Sequence, residues 1–301
     1  MTGQVTRRDF LKTSVAATGA SLGAAALSSG GSMPAQAGSA PLRIKKAVLL
    51  GMLPEKLSYE ERFRMARAAG FEAVEAYTTE DQKEAETIQR AAESAQIHIH
   101  SVMNMGHWKW PLSSPDPAVV QKSLHSMQVS LHNAHFWGAD TVLLVPAVVD
   151  SQTTYRQAWQ RSQKQIRALI PLAEQLRVVM ALEEVWNKFL LSPLEFPRYV
   201  DQFQSPWVKS YFDVGNVVLY GYPQDWIREL DKRFVKMHLK DFNRKTNQFV
   251  NLGDGSIEWP EVRKALTEVG YNGYATTELD GGDAAYLQDV SKRVDRLVLG
   301  I

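Results

Sequence analysis

The chain has 301 residues, is 45% hydrophobic and 22% charged, and carries a formal net charge of +1. That profile belongs to a globular protein and excludes a disordered or strongly basic chain. With no cysteine the protein holds neither disulfides nor thiolate metal ligands, so any metal site must be built from oxygen and nitrogen donors.

Residues 1–37 stand apart from the rest. Thr6-Arg7-Arg8-Asp9-Phe10-Leu11-Lys12 precedes a weakly apolar Ala/Gly/Ser stretch from Ser14 to Leu27, and Pro34-Ala35-Gln36-Ala37 follows. The segment resembles a twin-arginine export signal with a small-residue cleavage site after Ala37. The expectation is a cleaved segment 1–37, taken up by the twin-arginine export machinery, ahead of a domain 38–301 that is periplasmic or otherwise exported. Arg7, Arg8 and Lys12 against Asp9 give the segment +2, so the mature chain would carry −1. Neither nucleic acid nor a membrane surface is expected as a partner of the mature form.

Beyond the signal, apolar runs predict strands over Ile44–Met52, Ala73–Tyr77, Ile97–Met103, Thr141–Pro146, Val178–Val185, Val208–Val214, Phe234–Asp241 and Gly273–Leu279. Several are continuously apolar, as strands covered on both faces must be. Amphipathic stretches predict helices over Tyr59–Ala69, Asp81–Ser94, Ala118–Trp137, Thr154–Gln175, Pro193–Phe203, Pro223–Leu230, Trp259–Val269 and Ala284–Leu297. Gly70, Gly138 and Gly270 sit where a helix must turn left-handed before the next strand, and Pro117, Pro193, Pro223 and Pro260 sit near helix beginnings. The alternation predicts an α/β protein, a single-domain (β/α)8 TIM barrel. The longest loop, Asn104 to Asp116, falls on the face where active sites of such barrels lie.

Glu184, Asp213, His238 and Glu278 each close one of the last four barrel strands. In a closed parallel barrel those ends converge, and three carboxylates with one imidazole are a donor set for a divalent cation. Each alone also fits a salt-bridged strand end; the order Glu, Asp, His, Glu is the specific part. Alternation along Met180-Ala181-Leu182-Glu183-Glu184 puts Glu183 and Glu184 on opposite faces without saying which is interior. Oxygen-rich ligation favours Mn²⁺, with Mg²⁺, Co²⁺ or Zn²⁺ compatible.

Glu184-Val185-Trp186-Asn187, Asp213-Val214-Gly215-Asn216, His238-Leu239-Lys240-Asp241 and Glu278 together resemble the xylose-isomerase-like superfamily of sugar isomerases and epimerases. The longer run from Glu184 to Glu195 is similar to its sugar-phosphate isomerase/epimerase subgroup. The resemblance implies Glu184, Asp213, His238 and Glu278 as metal ligands, with Glu184 and Glu278 also the catalytic acid/base pair. It implies a small keto sugar or related polyhydroxy-carbonyl compound as substrate, reacting through an enediolate.

Candidate substrate contacts are Glu75, His100, His107, Trp108, Trp186, Asn187, Asn216 and Lys240. His98 is expected in a core layer, and Lys236 deeper in the barrel, in need of a partner. Many epimerases of the superfamily carry histidine where Asn216 stands, so the usual ketohexose specificity does not follow. The rival readings are a lyase acting on 3-keto-glycosides through the same metal site and a non-catalytic periplasmic sugar-binding barrel. A homo-oligomer is compatible with all of them.

Overall fold

The computed structural model describes residues 43–301; the expected export signal and its cleavage site lie outside the described residues. Eight parallel strands close into a barrel: β1 (Lys45–Leu49), β2 (Ala73–Tyr77), β3 (His98–Met103), β4 (Thr141–Leu144), β5 (Val179–Glu183), β6 (Val208–Asp213), β7 (Phe234–Leu239) and β10 (Tyr274–Thr277). The predicted TIM barrel is therefore present. Between β7 and β10 the chain inserts an antiparallel hairpin, β8 (Asp241–Asn243) with β9 (Gln248–Val250), where the apolar run had suggested a single strand continuing to Asp241.

Local sequence explains where the crossover helices begin and end. The helix α1 (Tyr59–Ala68) opens with a capping box between Ser58 and Glu61, and α4 (Tyr155–Leu176) with one between Thr154 and Gln157. The helices α2 (Gln82–Ala95) and α3 (Pro117–Trp137) are capped by Asp81 and Asp116, α3 also having proline in its first turn. The helices α5 (Glu195–Asp201), α6 (Pro223–Leu230), α7 (Trp259–Glu268) and α8 (Ala284–Val294) complete the outer ring. Gly70, Gly138 and Gly270 have φ of +97°, +74° and +64°, the left-handed stops expected of them. Among the described residues no helix is long and apolar enough to cross a membrane.

The main hydrophobic core lies between strands and helices, not inside the barrel. Met180 and Leu182 belong to it, whereas Ala181 packs inward with Leu143 and Tyr211. The interior is otherwise polar. Lys236 enters it from below and finds its partner in Asp140, 2.8 Å away, with its ammonium 4.6 Å from the ring centre of Tyr274. His98, expected in a core layer, is exposed because it begins its strand at the open lower end.

Candidate metal centre

The inward position of Ala181 decides which of two adjacent glutamates reaches the barrel axis. Alternation sends Glu183 inward with Ala181 and turns Glu184 the other way. Glu183, Asp213, His238 and Glu278 each offer a ligand atom within 4.8 Å of all the others. Three expected ligands thus converge, and the fourth position belongs to Glu183 instead of Glu184. Glu184 is buried, with Oε1 accepting from the Asp213 amide at 3.3 Å and Oε2 unpartnered. Burial, reinforced by Glu183 and Asp213, raises its carboxyl well above the usual range.

Each of the four converging side chains is held by its neighbours. Asp213 uses Oδ1 to accept from the amides of Gly215 (2.7 Å) and Asn216 (2.9 Å), which turns Oδ2 toward the centre. Oδ2 is buried without a directed hydrogen bond, although the Lys240 ammonium lies 2.9 Å away. A Cβ on Gly215 would stand 2.4 Å from Lys240 Cγ, so glycine there lets the lysine pass. His238 Nε2 faces Glu75 Oε2 at 2.7 Å, while Nδ1 faces Glu278 Oε2 at 3.0 Å and Glu183 Oε1 at 3.1 Å.

The balance of charge is strongly negative. Four carboxylates (Glu75, Glu183, Asp213, Glu278) surround His238 and one ammonium, that of Lys240, 2.7 Å from Glu278. Burial pushes the Glu183 carboxyl up to about 7. Burial acts the same way on Glu278, but Lys240 and His238 outweigh it and hold Glu278 well below the usual carboxylate range. Burial disfavours the His238 imidazolium, yet Glu278 and Glu75 overcome this and raise its pKa well above the ordinary value. A buried surplus of carboxylates is costly unless cations compensate it. The buried Asp213 Oδ2, which accepts no directed hydrogen bond, the excess of carboxylates and the oxygen-rich donor set fit a divalent cation held by Glu183, Asp213, His238 and Glu278.

Above this cluster lies a pocket of about 200 Å³ lined by Glu183, Glu278, Lys240, Trp186, Trp108 and Phe249, with Met103, His107, Val185 and Asn216 completing it. Of the expected substrate contacts, His107, Trp108, Trp186, Asn216 and Lys240 line it, and the other three do not. Glu75 is buried beneath His238, accepting from Tyr211 Oη (2.8 Å) and Ser101 Oγ (3.2 Å). His100 is one layer deeper, its Nε2 3.0 Å from Thr276 Oγ1 and its ring stacked on Tyr274. Asn187 is buried in the loop after β5, donating to the Ala147 carbonyl and accepting from the Phe189 amide, which fixes the turn that presents Trp186. In that loop Phe189 and Leu190 are fully buried and Lys188 and Leu190 adopt positive φ, so much of the Glu184-to-Glu195 motif serves packing.

Phe249 is a pocket residue that the sequence patterns did not single out. Its ring stacks on Trp186 at 4.8 Å between centroids, and the Lys240 ammonium lies 5.2 Å from its centre. The available signal was Asp241-Phe242-Asn243 and Gln248-Phe249-Val250 around Asn243, whose side chain accepts from the amides of Lys245 and Thr246.

An eight-stranded parallel barrel with a carboxylate and imidazole cluster at its strand ends defines the general class. The family described as "Xylose isomerase-like TIM barrel" matches residues 63–294, and the chain belongs to it. Among curated proteins, the chain is 24% identical over 247 residues to the L-ribulose-5-phosphate 3-epimerase UlaE of Escherichia coli O1:K1 / APEC, covering 76% of this chain and 86% of that protein. Its curated relatives are thus sugar epimerases, enzymes of the isomerase class. Among solved structures, a D-tagatose 3-epimerase-like protein superposes with a TM-score of 0.73 at 17% identity, covering 85% of this chain and 98% of that one. The 3-keto-D-glucoside 4-epimerase YcjR from E. coli gives 0.72 at 15% identity, covering 84% and 98%. At those identities the likeness concerns the fold.

Proposed function

We propose that the protein is a divalent-cation-dependent sugar epimerase or isomerase acting on a keto sugar. The observation that carries the reading is the entry of Glu183 and Glu278 into one small pocket from strand ends separated by β6 and β7, directly above His238. Bound there, the cation, Mn²⁺ by donor preference, would polarise the carbonyl and stabilise the negative charge that develops on its oxygen. The chain's own residues supply the proton transfers. One glutamate takes the proton from the carbon beside the carbonyl, and its counterpart returns a proton to the opposite face, inverting that carbon. Return to the neighbouring carbon instead would interchange ketose and aldose. Trp108 and Trp186 offer planes for the C–H faces of the sugar, and Lys240 and Asn216 offer hydrogen-bond donors to its oxygens.

The test is solvent deuterium incorporation next to the carbonyl of a keto sugar by the Mn²⁺-loaded protein. Exchange that disappears in both Glu183→Gln and Glu278→Gln supports the acid/base roles of the two glutamates, and full exchange in either variant removes them. The twin-arginine-like segment supports export of the protein. Fractionation of cells should place the processed protein outside the cytoplasm, and Arg7→Lys with Arg8→Lys should retain it inside; unprocessed wild type in the cytoplasm would end that part of the proposal.

A further inference from the structure

The pocket above the cluster has a larger neighbour. A groove of about 870 Å³ opens on its far side and shares three wall residues with it: Lys240, Phe249 and Glu278. The pocket, at about 200 Å³, is smaller than the roughly 300–1,000 Å³ of sites for drug-sized ligands, and its volume suits one sugar ring. A substrate ending at that ring would leave the groove unused.

The groove has the chemistry of a second hydroxyl-bearing unit. Tyr77, Asn251 and Tyr286 line it, with the Tyr286 hydroxyl donating to Asn251 Oδ1 at 2.7 Å. Gly51 keeps its wall low: a Cβ there would meet the Tyr77 hydroxyl at 2.2 Å. The charged residues of the lining are Asp254, Asp280, Glu278 and Lys240. The one cationic side chain among these four lies 2.9 Å from Asp213 and 2.7 Å from Glu278, and Asp254 is paired with Arg293 at 3.0 Å. A phosphate in this groove would face Asp254, Asp280 and Glu278 against a single ammonium, whereas neutral hydroxyls would meet tyrosine and asparagine.

We infer that the substrate is an unphosphorylated keto sugar in glycosidic linkage, its keto ring in the small pocket and its second sugar or aglycone in the groove of Tyr77, Asn251 and Tyr286. The inference rests on the proton-transfer reading above and adds the substrate class. The linkage is carried through the reaction: the C–H bond beside the carbonyl breaks and re-forms, and nothing is oxidised or lost.

The experiment compares deuterium wash-in for a 3-keto disaccharide, a free ketohexose and a ketopentose 5-phosphate, using the full mature protein with Mn²⁺. The expected result is a kcat/KM for the keto disaccharide at least ten-fold above both others. Tyr286→Ala and Asn251→Ala should each raise KM for the disaccharide at least ten-fold more than KM for the free ketohexose. Equal or faster exchange of the free or phosphorylated ketose, or equal KM changes in the variants, would overturn the substrate class while leaving the proton-transfer reading intact. Absence of exchange with all three would overturn both.

Discussion

Glu75 Oε2 lies 2.7 Å from His238 Nε2, and this one contact sets the chemistry available at the other nitrogen. With Nε2–H donating downward to Glu75, Nδ1 is aimed at the Glu183 and Glu278 oxygens, the direction from which it would ligate a cation. Glu75 is itself held by Tyr211 and Ser101, so the imidazole is oriented by a chain of contacts that crosses the barrel interior.

The adjacent pair Glu183 and Glu184 offers a direct contrast. Glu183→Gln should weaken Mn²⁺ binding and lower proton exchange by about 100-fold or more, because it removes an inward ligand and a pocket carboxylate. Glu184→Gln should bind Mn²⁺ within a few-fold of wild type, since its side chain contacts the Asp213 amide instead of the cluster centre. Titration calorimetry on both variants checks this, and reversed losses would restore Glu184 as the ligand.

Lys240 competes with the cation for two oxygens, lying 2.9 Å from Asp213 Oδ2 and 2.7 Å from Glu278 Oε2. Lys240→Met should therefore tighten Mn²⁺ binding by about ten-fold through lost charge repulsion. The same variant should raise KM for the sugar. Weaker metal binding in Lys240→Met would show that the ammonium supports the site instead of opposing the cation.

Asp241 ties the loop behind the hairpin to the end of β7. Its carboxylate accepts from the amides of Phe242, Gly253 and Ile257 and from Trp259 Nε1. Asp241→Ala strands those donors and should cost about 3 kcal/mol. Gly255→Ala would set a Cβ 2.1 Å from Asp241 Oδ1 and should cost about 1–3 kcal/mol. Urea unfolding of both variants measures the losses, and wild-type stability in either would deny Asp241 its anchoring role.

Burial of His107 lowers its pKa from 6.5 to about 4. The unfolded chain then binds more protons than the folded one between those values, so stability is full above pH 6.5 and falls as pH drops toward 4. Between pH 7 and pH 4.5 this should remove roughly 2–3 kcal/mol in the wild type. His107→Gln lacks the titrating ring, and its stability should decline less over that interval. Identical slopes would mean that other groups carry the acid sensitivity.

Much of the fold was legible because glycine stops, first-turn prolines and apolar runs repeat in step with the βα unit. Asp213, His238 and Glu278 were readable for a related reason, each standing at a strand end ahead of a distinctive turn. Glu183 was not. Both faces of a barrel strand are buried, so hydrophobicity does not mark the axis, and Met180 and Leu182 look no more exterior than Val179 and Ala181. Only the small size of Ala181, which packs inside the barrel beside Tyr211 of the neighbouring strand β6, marks the inward face. The hairpin escaped because its strands are three residues long, too short for alternation to register, and Phe249 escaped with it.

Phe249 forms part of both the pocket and the groove, so one ring carried on a peripheral ribbon borders two adjoining chambers. Exchanging that ring for a smaller or larger one would reshape both without moving a barrel strand. The range of molecular sizes the protein admits is thereby uncoupled from the framework that holds its reactive groups, and one can drift while the other stays rigid.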